Sequence, residues 1–203
     1  MKLTEFYDKR WKTIQKRLSE LVDPSDVRDP FVDIKRENPI MIIGEAPGGT
    51  EVEVGQPFCG PAGKNLSYLI DYAGLDRAKD ILITNALPFR TFQNTSKGRK
   101  NRTPTKEELQ IGSILLEEEL ILVKPSVILI LGGSAKTAVK YIPDLYNTVK
   151  NLERNSFKEI EIYGFKTTVA FAYHPSPLVY NTESKANNLK FFFKNILPKL
   201  FKK

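Results

Sequence analysis

Ile40-Met41-Ile42-Ile43-Gly44-Glu45-Ala46-Pro47-Gly48-Gly49 is the stretch that decides the fold. Four consecutive apolar residues read as a strand covered on both faces, because a strand with one wet face would alternate. The glycine- and proline-rich segment that follows, as far as Gly63, continues neither strand nor helix, so the strand opens into a long loop. The same grammar recurs downstream. Ile81-Leu82-Ile83-Thr84 predicts a second buried strand, followed by a polar loop that runs to Thr105. Pro125 precedes a third strand over 127–131, and Gly132-Gly133-Ser134 turns it into a short helix. Residues 157–162 and 167–171 alternate around Tyr163-Gly164, a hairpin that feeds the last core strand. Helices fall between these strands. One is expected over about 62–73, one starts at Thr105 with Glu108 at capping-box spacing, and a basic amphipathic helix from about Ser184 closes the chain. Strands alternating with helices predict an α/β domain, a three-layer α/β/α sandwich around a central, mainly parallel four-stranded sheet.

Upstream, Tyr7, Trp11, Ile14, Leu18 and Leu21 recur at spacings of four and three, which places them on one face of a helix. Asp23-Pro24-Ser25 ends it. The expected organisation is a helix and linker over 1–38 packed on a domain over 39–203. With 203 residues, 41% hydrophobic and 27% charged, the chain can bury a real core. No apolar run approaches the roughly 18 residues needed to span a bilayer, and the charged first ten residues do not resemble a secretion signal. A net charge of +7 favours an anionic partner. One cysteine excludes a disulfide within the chain, and one histidine argues against multi-histidine zinc sites.

In open α/β sheets, ligands bind beyond the carboxyl ends of the strands. Four loops leave those ends, and all are rich in glycine, proline or polar residues. A phosphate-loop NTPase is excluded because Gly63-Lys64 is followed by Asn65 rather than Ser or Thr, and there is no G-x-G-x-x-G fingerprint. Asn85 directly follows an apolar strand, where a core position would be apolar, and His174, the sole histidine, sits in a proline-rich loop.

Six motifs occur in order: Gly44-Glu45-Ala46-Pro47-Gly48; Gly55-x-Pro57-Phe58-x-Gly60-x-Ala62-Gly63; Thr84-Asn85; Asn101-Arg102-Thr103-Pro104-Thr105; Leu131-Gly132; and His174-Pro175-Ser176-Pro177-Leu178. Together they resemble the uracil-DNA glycosylase superfamily, most closely its family 4 branch, over about residues 40–197. The resemblance implies hydrolysis of the N-glycosidic bond of deoxyuridine in DNA, releasing uracil from a flipped-out nucleotide and leaving an abasic site. By resemblance, Phe58 stacks on the base, Asn85 reads its N3–H and O4, and Ala46 joins the base-binding set. Glu51 falls where the family sets a side chain against uracil C5, excluding the methyl of thymine. Glu45 would orient the attacking water, and His174 would donate to O2 as charge builds on the leaving base. Backbone around Gly63 and Lys64, and the nest of Gly132, Gly133 and Ser134, would hold DNA phosphates. Pro175 and Ser176 would compress the DNA backbone, Leu178 would fill the vacated stack, and Lys97, Arg99, Lys100 and Arg102 would meet phosphates.

Family 4 members typically hold a [4Fe–4S] cluster on four cysteines. Here the first helix has none, Phe89 and Gly112 stand near the third and fourth positions, and Cys59 occupies a place not used for the cluster. The expectation is no cluster and no other metal, with the apolar residues of the first helix, Phe89 and Phe92 filling that place. The loop after Thr84-Asn85 lacks the histidine of the covalently trapping branch, so no crosslink to DNA is expected. A monomer acting on uracil-containing DNA in the cytoplasm (nucleoid-associated in a bacterium) is expected, with no membrane association and with abasic-site repair enzymes downstream. The rival readings are a catalytically silent DNA-binding member and a glycosylase of broader scope for deaminated bases.

Overall fold

Every residue of the first apolar run is buried, and it forms the strand next to which two others pair. The computed structural model describes residues 2–18, 27–32 and 37–201. Its elements begin with α1 (Leu3–Leu18), β1 (Ile40–Gly44), α2 (Gly49–Val54), α3 (Pro61–Tyr72), α4 (Arg77–Asp80) and β2 (Ile81–Asn85). Then come β3 (Phe92–Thr95), β4 (Gly98–Asn101), α5 (Lys106–Val123), β5 (Val127–Leu131), α6 (Gly133–Val139) and α7 (Pro143–Asn151). The last are β6 (Ser156–Ile162), β7 (Phe165–Ala172), α8 (Pro177–Tyr180), α9 (Glu183–Phe191) and α10 (Leu197–Leu200). A π-helical stretch, Phe192–Ile196, joins α9 to α10, so the closing helix is widened one turn before Pro198, which has no N–H to donate.

The main sheet has the order β2-β1-β5-β7-β6. β1, β2, β5 and β7 run parallel, and β6 is antiparallel to β7. The sheet therefore has five strands rather than four. The first arm of the expected hairpin pairs with β7 over its whole length and forms the edge, where exposed Lys158, Glu159 and Glu161 suit a strand with one unpaired side. The polar loop before Thr105 also differs from expectation. It contains an antiparallel hairpin of its own, β3–β4, paired from Phe92↔Asn101 to Thr95↔Gly98. Its two strands are polar on both faces and so carry no alternation to read.

The pleat sends alternate side chains to opposite layers. Met41, Ile43, Leu82, Ile128 and Ile130 pack with Phe6 and Tyr7 of α1, Leu116 and Leu120 of α5, and residues of α6 and α7. Ile40, Ile42, Ile83, Leu129 and Leu131 pack instead with Leu66, Leu69 and Ile70 of α3 and with Leu189, Phe192, Phe193 and Leu197 near the C-terminus. Thr105 caps α5 as its spacing predicts: its Oγ1 accepts from the Glu108 N–H at 3.2 Å, and Glu108 Oε2 accepts from the Thr105 N–H at 2.7 Å. Leu21 and the Asp23-Pro24-Ser25 stop signal lie outside the described residues. No described helix is long and apolar enough to cross a membrane.

Candidate active site

A cleft of about 520 Å³ opens at the carboxyl ends of β1, β2, β5 and β7. Register explains why its walls converge. Gly44 lies opposite Asn85 at the ends of β1 and β2, and Leu131 opposite Ala172 at the ends of β5 and β7. The loop after β1 is then held to β2: the Ala86 N–H donates to the Gly44 carbonyl at 2.9 Å and the Leu87 N–H to the Glu45 carbonyl at 2.8 Å. Glu45, Ala46, Glu51, Phe58, Asn85, Gly132, Gly133, Ser134 and His174 all line the cleft.

At the floor, the missing side chain of Gly44 is what leaves the space open. A Cβ there would collide with Asn85 Oδ1 and lie 2.7 Å from the Phe58 ring. The amide and the ring therefore face one small volume. Phe58 is buried and takes a left-handed backbone, φ 51°, uncommon for a bulky residue and a mark of a constrained site. Its carbonyl sits where a Cβ of Gly63 would be, so the α3 start can pack against this loop only with glycine at 63. The Phe58 and His174 rings are 5.7 Å apart between centroids. Burial pushes the His174 imidazole below its ordinary value, and the charge of Glu51 only partly offsets this, so the ring is neutral at pH 7.

Glu51 braces the rim. Its Oε1 accepts from the Gly60 N–H at 2.9 Å and its Oε2 from the Gly48 N–H at 3.2 Å, joining the two ends of the loop that carries Phe58. On the far side, Asn65 Nδ2 donates to the Pro175 carbonyl at 2.9 Å and ties α3 to the His174 loop. A flat, mainly polar-edged ligand could be sandwiched against Phe58, read by an amide and met by a neutral imidazole N–H.

The sequence model of the uracil DNA glycosylase superfamily matches residues 31–200. The chain belongs to the uracil DNA glycosylase superfamily. Among its relatives, the type-4 uracil-DNA glycosylase of Archaeoglobus fulgidus is 35% identical over 144 residues, covering 71% of this chain and 68% of the relative. That of Saccharolobus solfataricus is 34% identical over 143 residues, 70% and 62% of the two chains. That of Sulfurisphaera tokodaii is 32% identical over 148 residues, 70% and 61%. The match thus spans less than two thirds of the length of the latter two.

Within this superfamily member, not every expected residue reaches the cleft in the expected way. Arg102 lines the cleft and is also held within the protein. Its guanidinium donates to Glu108 at 2.8 and 2.6 Å, to the Phe92 carbonyl at 3.0 Å and to the Thr103 carbonyl at 3.1 Å. It fastens the hairpin to α5 through a bidentate pair with Glu108. Pro175 is buried, and its carbonyl accepts from Asn65. Gly63 and Lys64 line a neighbouring cleft behind Phe58 with Gln56, Cys59, Ser67 and Arg77, not the main one. Lys97, Arg99 and Lys100 project from the exposed hairpin, and Leu178 is 81% exposed at the rim.

Asn101 joins the site without having been expected there, and Arg90 holds it from behind. Arg90 Nε donates to Asn101 Oδ1 at 2.7 Å and its NH2 to the Arg99 carbonyl at 3.0 Å, with the guanidinium against Gly49. Asn101 lines the cleft. Its place in the Asn101-to-Thr105 motif is the one sequence signal that points to it.

Around Phe89 the described side chains are packed together and apolar. Ile14 of α1 is buried with Leu87, Phe89, Ile111 and Leu115, and Trp11 and Ala46 pack against them. Phe92 does not join them; it lies in the hairpin under the Arg99 guanidinium, 4.4 Å from the ring centroid. A Cβ at Gly112 would stand 2.6 Å from the Ala86 carbonyl oxygen, so α5 sits too close for a cysteine there. Cys59, the one cysteine of the chain, is half-buried behind Phe58. Among the described residues no group of three or more His, Cys, Asp or Glu side chains is arranged to hold a metal ion.

Proposed function

We propose that this chain is a monofunctional uracil-DNA glycosylase that works without an iron–sulfur cluster. The observation that carries this reading is that Phe58 and Asn85 face the volume left open by Gly44, with the His174 ring 5.7 Å from Phe58 in the same cleft. A flipped uracil stacks on Phe58, and the Asn85 amide accepts from N3–H and donates to O4. Glu45, on the loop leaving β1, orients a water toward C1′. The water oxygen bonds to C1′ as the C1′–N1 bond breaks, and uracil departs with the electron pair as an anion. The neutral His174 donates a hydrogen bond to O2 as that charge develops, and the proton from the water returns to the product base. Glu51, held by two backbone N–H groups, keeps the Phe58 loop closed over C5 and leaves no room for thymine's methyl.

Lys97, Arg99, Lys100, Lys64, the Gly132-Gly133-Ser134 turn and Ser176 are proposed to meet DNA phosphates, and exposed Leu178 to fill the vacated stack. A four-thiolate cluster does not fit this chain, which has one cysteine and an apolar packing of α1 on Phe89 instead. We place the protein in the cytoplasm, as a monomer, with abasic-site repair enzymes acting on its product.

The test is incubation with matched duplex oligonucleotides carrying uracil, hypoxanthine, xanthine or thymine, followed by alkaline cleavage of abasic product. Strand cleavage confined to uracil is expected. Comparable cleavage at hypoxanthine would make the scope broader, and none at any base would leave a DNA-binding protein without this chemistry.

A further inference from the structure

Thr84 and Asn85, adjacent at the end of β2, belong to opposite faces of the sheet. Asn85 faces the cleft, whereas Thr84 points into the layer of α1 and α5. There its Oγ1 donates to Glu119 Oε2 at 3.0 Å. Glu119 is fully buried, and its carboxylate also accepts from the Tyr7 hydroxyl and, at 3.3 Å, from Arg10 NH1. Tyr7 and Arg10 are themselves buried on α1, with the guanidinium carbon 4.2 Å from the Tyr7 ring centroid. Burial, reinforced by the charge of Glu119, pushes the Tyr7 phenol well above its ordinary value and keeps it a donor.

Apolar side chains could fill this space at no cost in desolvation. What the polar arrangement adds is direction: one bond to one hydroxyl, one residue before the base-reading amide. We infer that Glu119, held by Tyr7 and Arg10, is a positioning residue for base recognition, fixing through Thr84 the end of β2 and so the plane of the Asn85 amide. The inference rests on the proposed role of Asn85. It also gives α1, which precedes the residues matched by the superfamily, a part in reading the base.

Thr84→Val keeps the shape and removes the hydroxyl; Thr84→Ser keeps the hydroxyl. In single-turnover kinetics, Thr84→Val should lose on the order of 10-fold in uracil excision, less than the ~10²-fold of a full 1 Å misplacement. Affinity for abasic product DNA should stay within about two-fold, since phosphate contacts carry most of it. Thr84→Ser should recover most of the rate, and Tyr7→Phe should move it in the same direction as Thr84→Val. A bond that only stabilises would lower the Tm of Thr84→Val and leave its rate and its uracil-over-cytosine preference at wild-type values, which would overturn the inference. Wild-type protein, run alongside, separates the two readings: no uracil excision by it would overturn the pocket assignment and this role together.

Discussion

The loop leaving β1 and the β3–β4 hairpin border the same cleft, yet they are built in opposite ways. In the first, polar atoms turn inward: Glu51 holds the Gly48 and Gly60 N–H groups, the Gly44 and Glu45 carbonyls accept from Ala86 and Leu87, and Phe58 is locked in a left-handed conformation. In the second, Arg90 and Arg102 fasten the backbone, while Lys97, Arg99 and Lys100 are exposed, with Arg99 over the Phe92 ring. A base must be recognised by shape and hydrogen-bond pattern, which needs fixed atoms. A phosphate needs only positive charge within reach, which exposed side chains supply.

The contrast breaks if a change in the fixed loop acts only on affinity, or a change in the hairpin acts on chemistry. The largest effect is expected for Asn85→Asp. A carboxyl group can accept from cytosine N4 and, when protonated, donate to N3, so the uracil-over-cytosine preference should collapse by as much as ~10⁴-fold. Matched uracil and cytosine oligonucleotides measure it, and an unchanged preference would remove Asn85 from the pocket. Gly44→Ala comes next. Its Cβ would intrude between Asn85 and Phe58, and uracil excision should fall by about 10²-fold, with an unchanged circular dichroism spectrum.

In the hairpin, Arg99→Ala with Lys100→Ala should leave the single-turnover rate at saturating protein alone. The dependence of DNA affinity on salt should instead flatten, by about 0.9 in log–log slope for each phosphate that the variant no longer neutralises. A lowered rate at saturation would place the hairpin in the chemistry. The smallest effect is a titration. With one histidine in the chain, NMR can follow the His174 imidazole alone, and its midpoint should lie below 6.5 because partial burial desolvates the charged ring. The unfolded chain then takes up the proton first. His174 therefore contributes stability above pH 6.5 that is lost as pH falls toward its folded value. Glu51→Gln should depress the midpoint further, since the Glu51 charge raises it; an upward move would contradict the geometry.

Much of this was legible in the chain. Apolar runs too continuous for a half-wet strand marked β1, β2 and β5, and the ends of β1, β2 and the last core strand, β7, carried Glu45, Phe58, Asn85 and His174 to one cleft. The β3–β4 hairpin was not legible, because Gln93-Asn94-Thr95 and Gly98-Arg99-Lys100 bury neither face and leave no period to detect. Nor could the cations of that segment be told apart: Arg99, Lys100 and Arg102 are alike in sequence, and only the fold places Glu108 against the last.

By itself, then, the sequence determined which strands are buried, where they end and which side chains stand at those ends, since each of these follows from local periodicity and from residues that break it. Only the tertiary structure decided the fate of the charges. Nothing in Glu117-Glu118-Glu119 singles out one carboxylate, yet the third is fully buried, against an arginine 109 residues earlier in the chain. Periodicity reports which face of a helix turns inward. Whether a charge on that face has a partner depends on what packs against it, and that partner comes from a distant part of the chain.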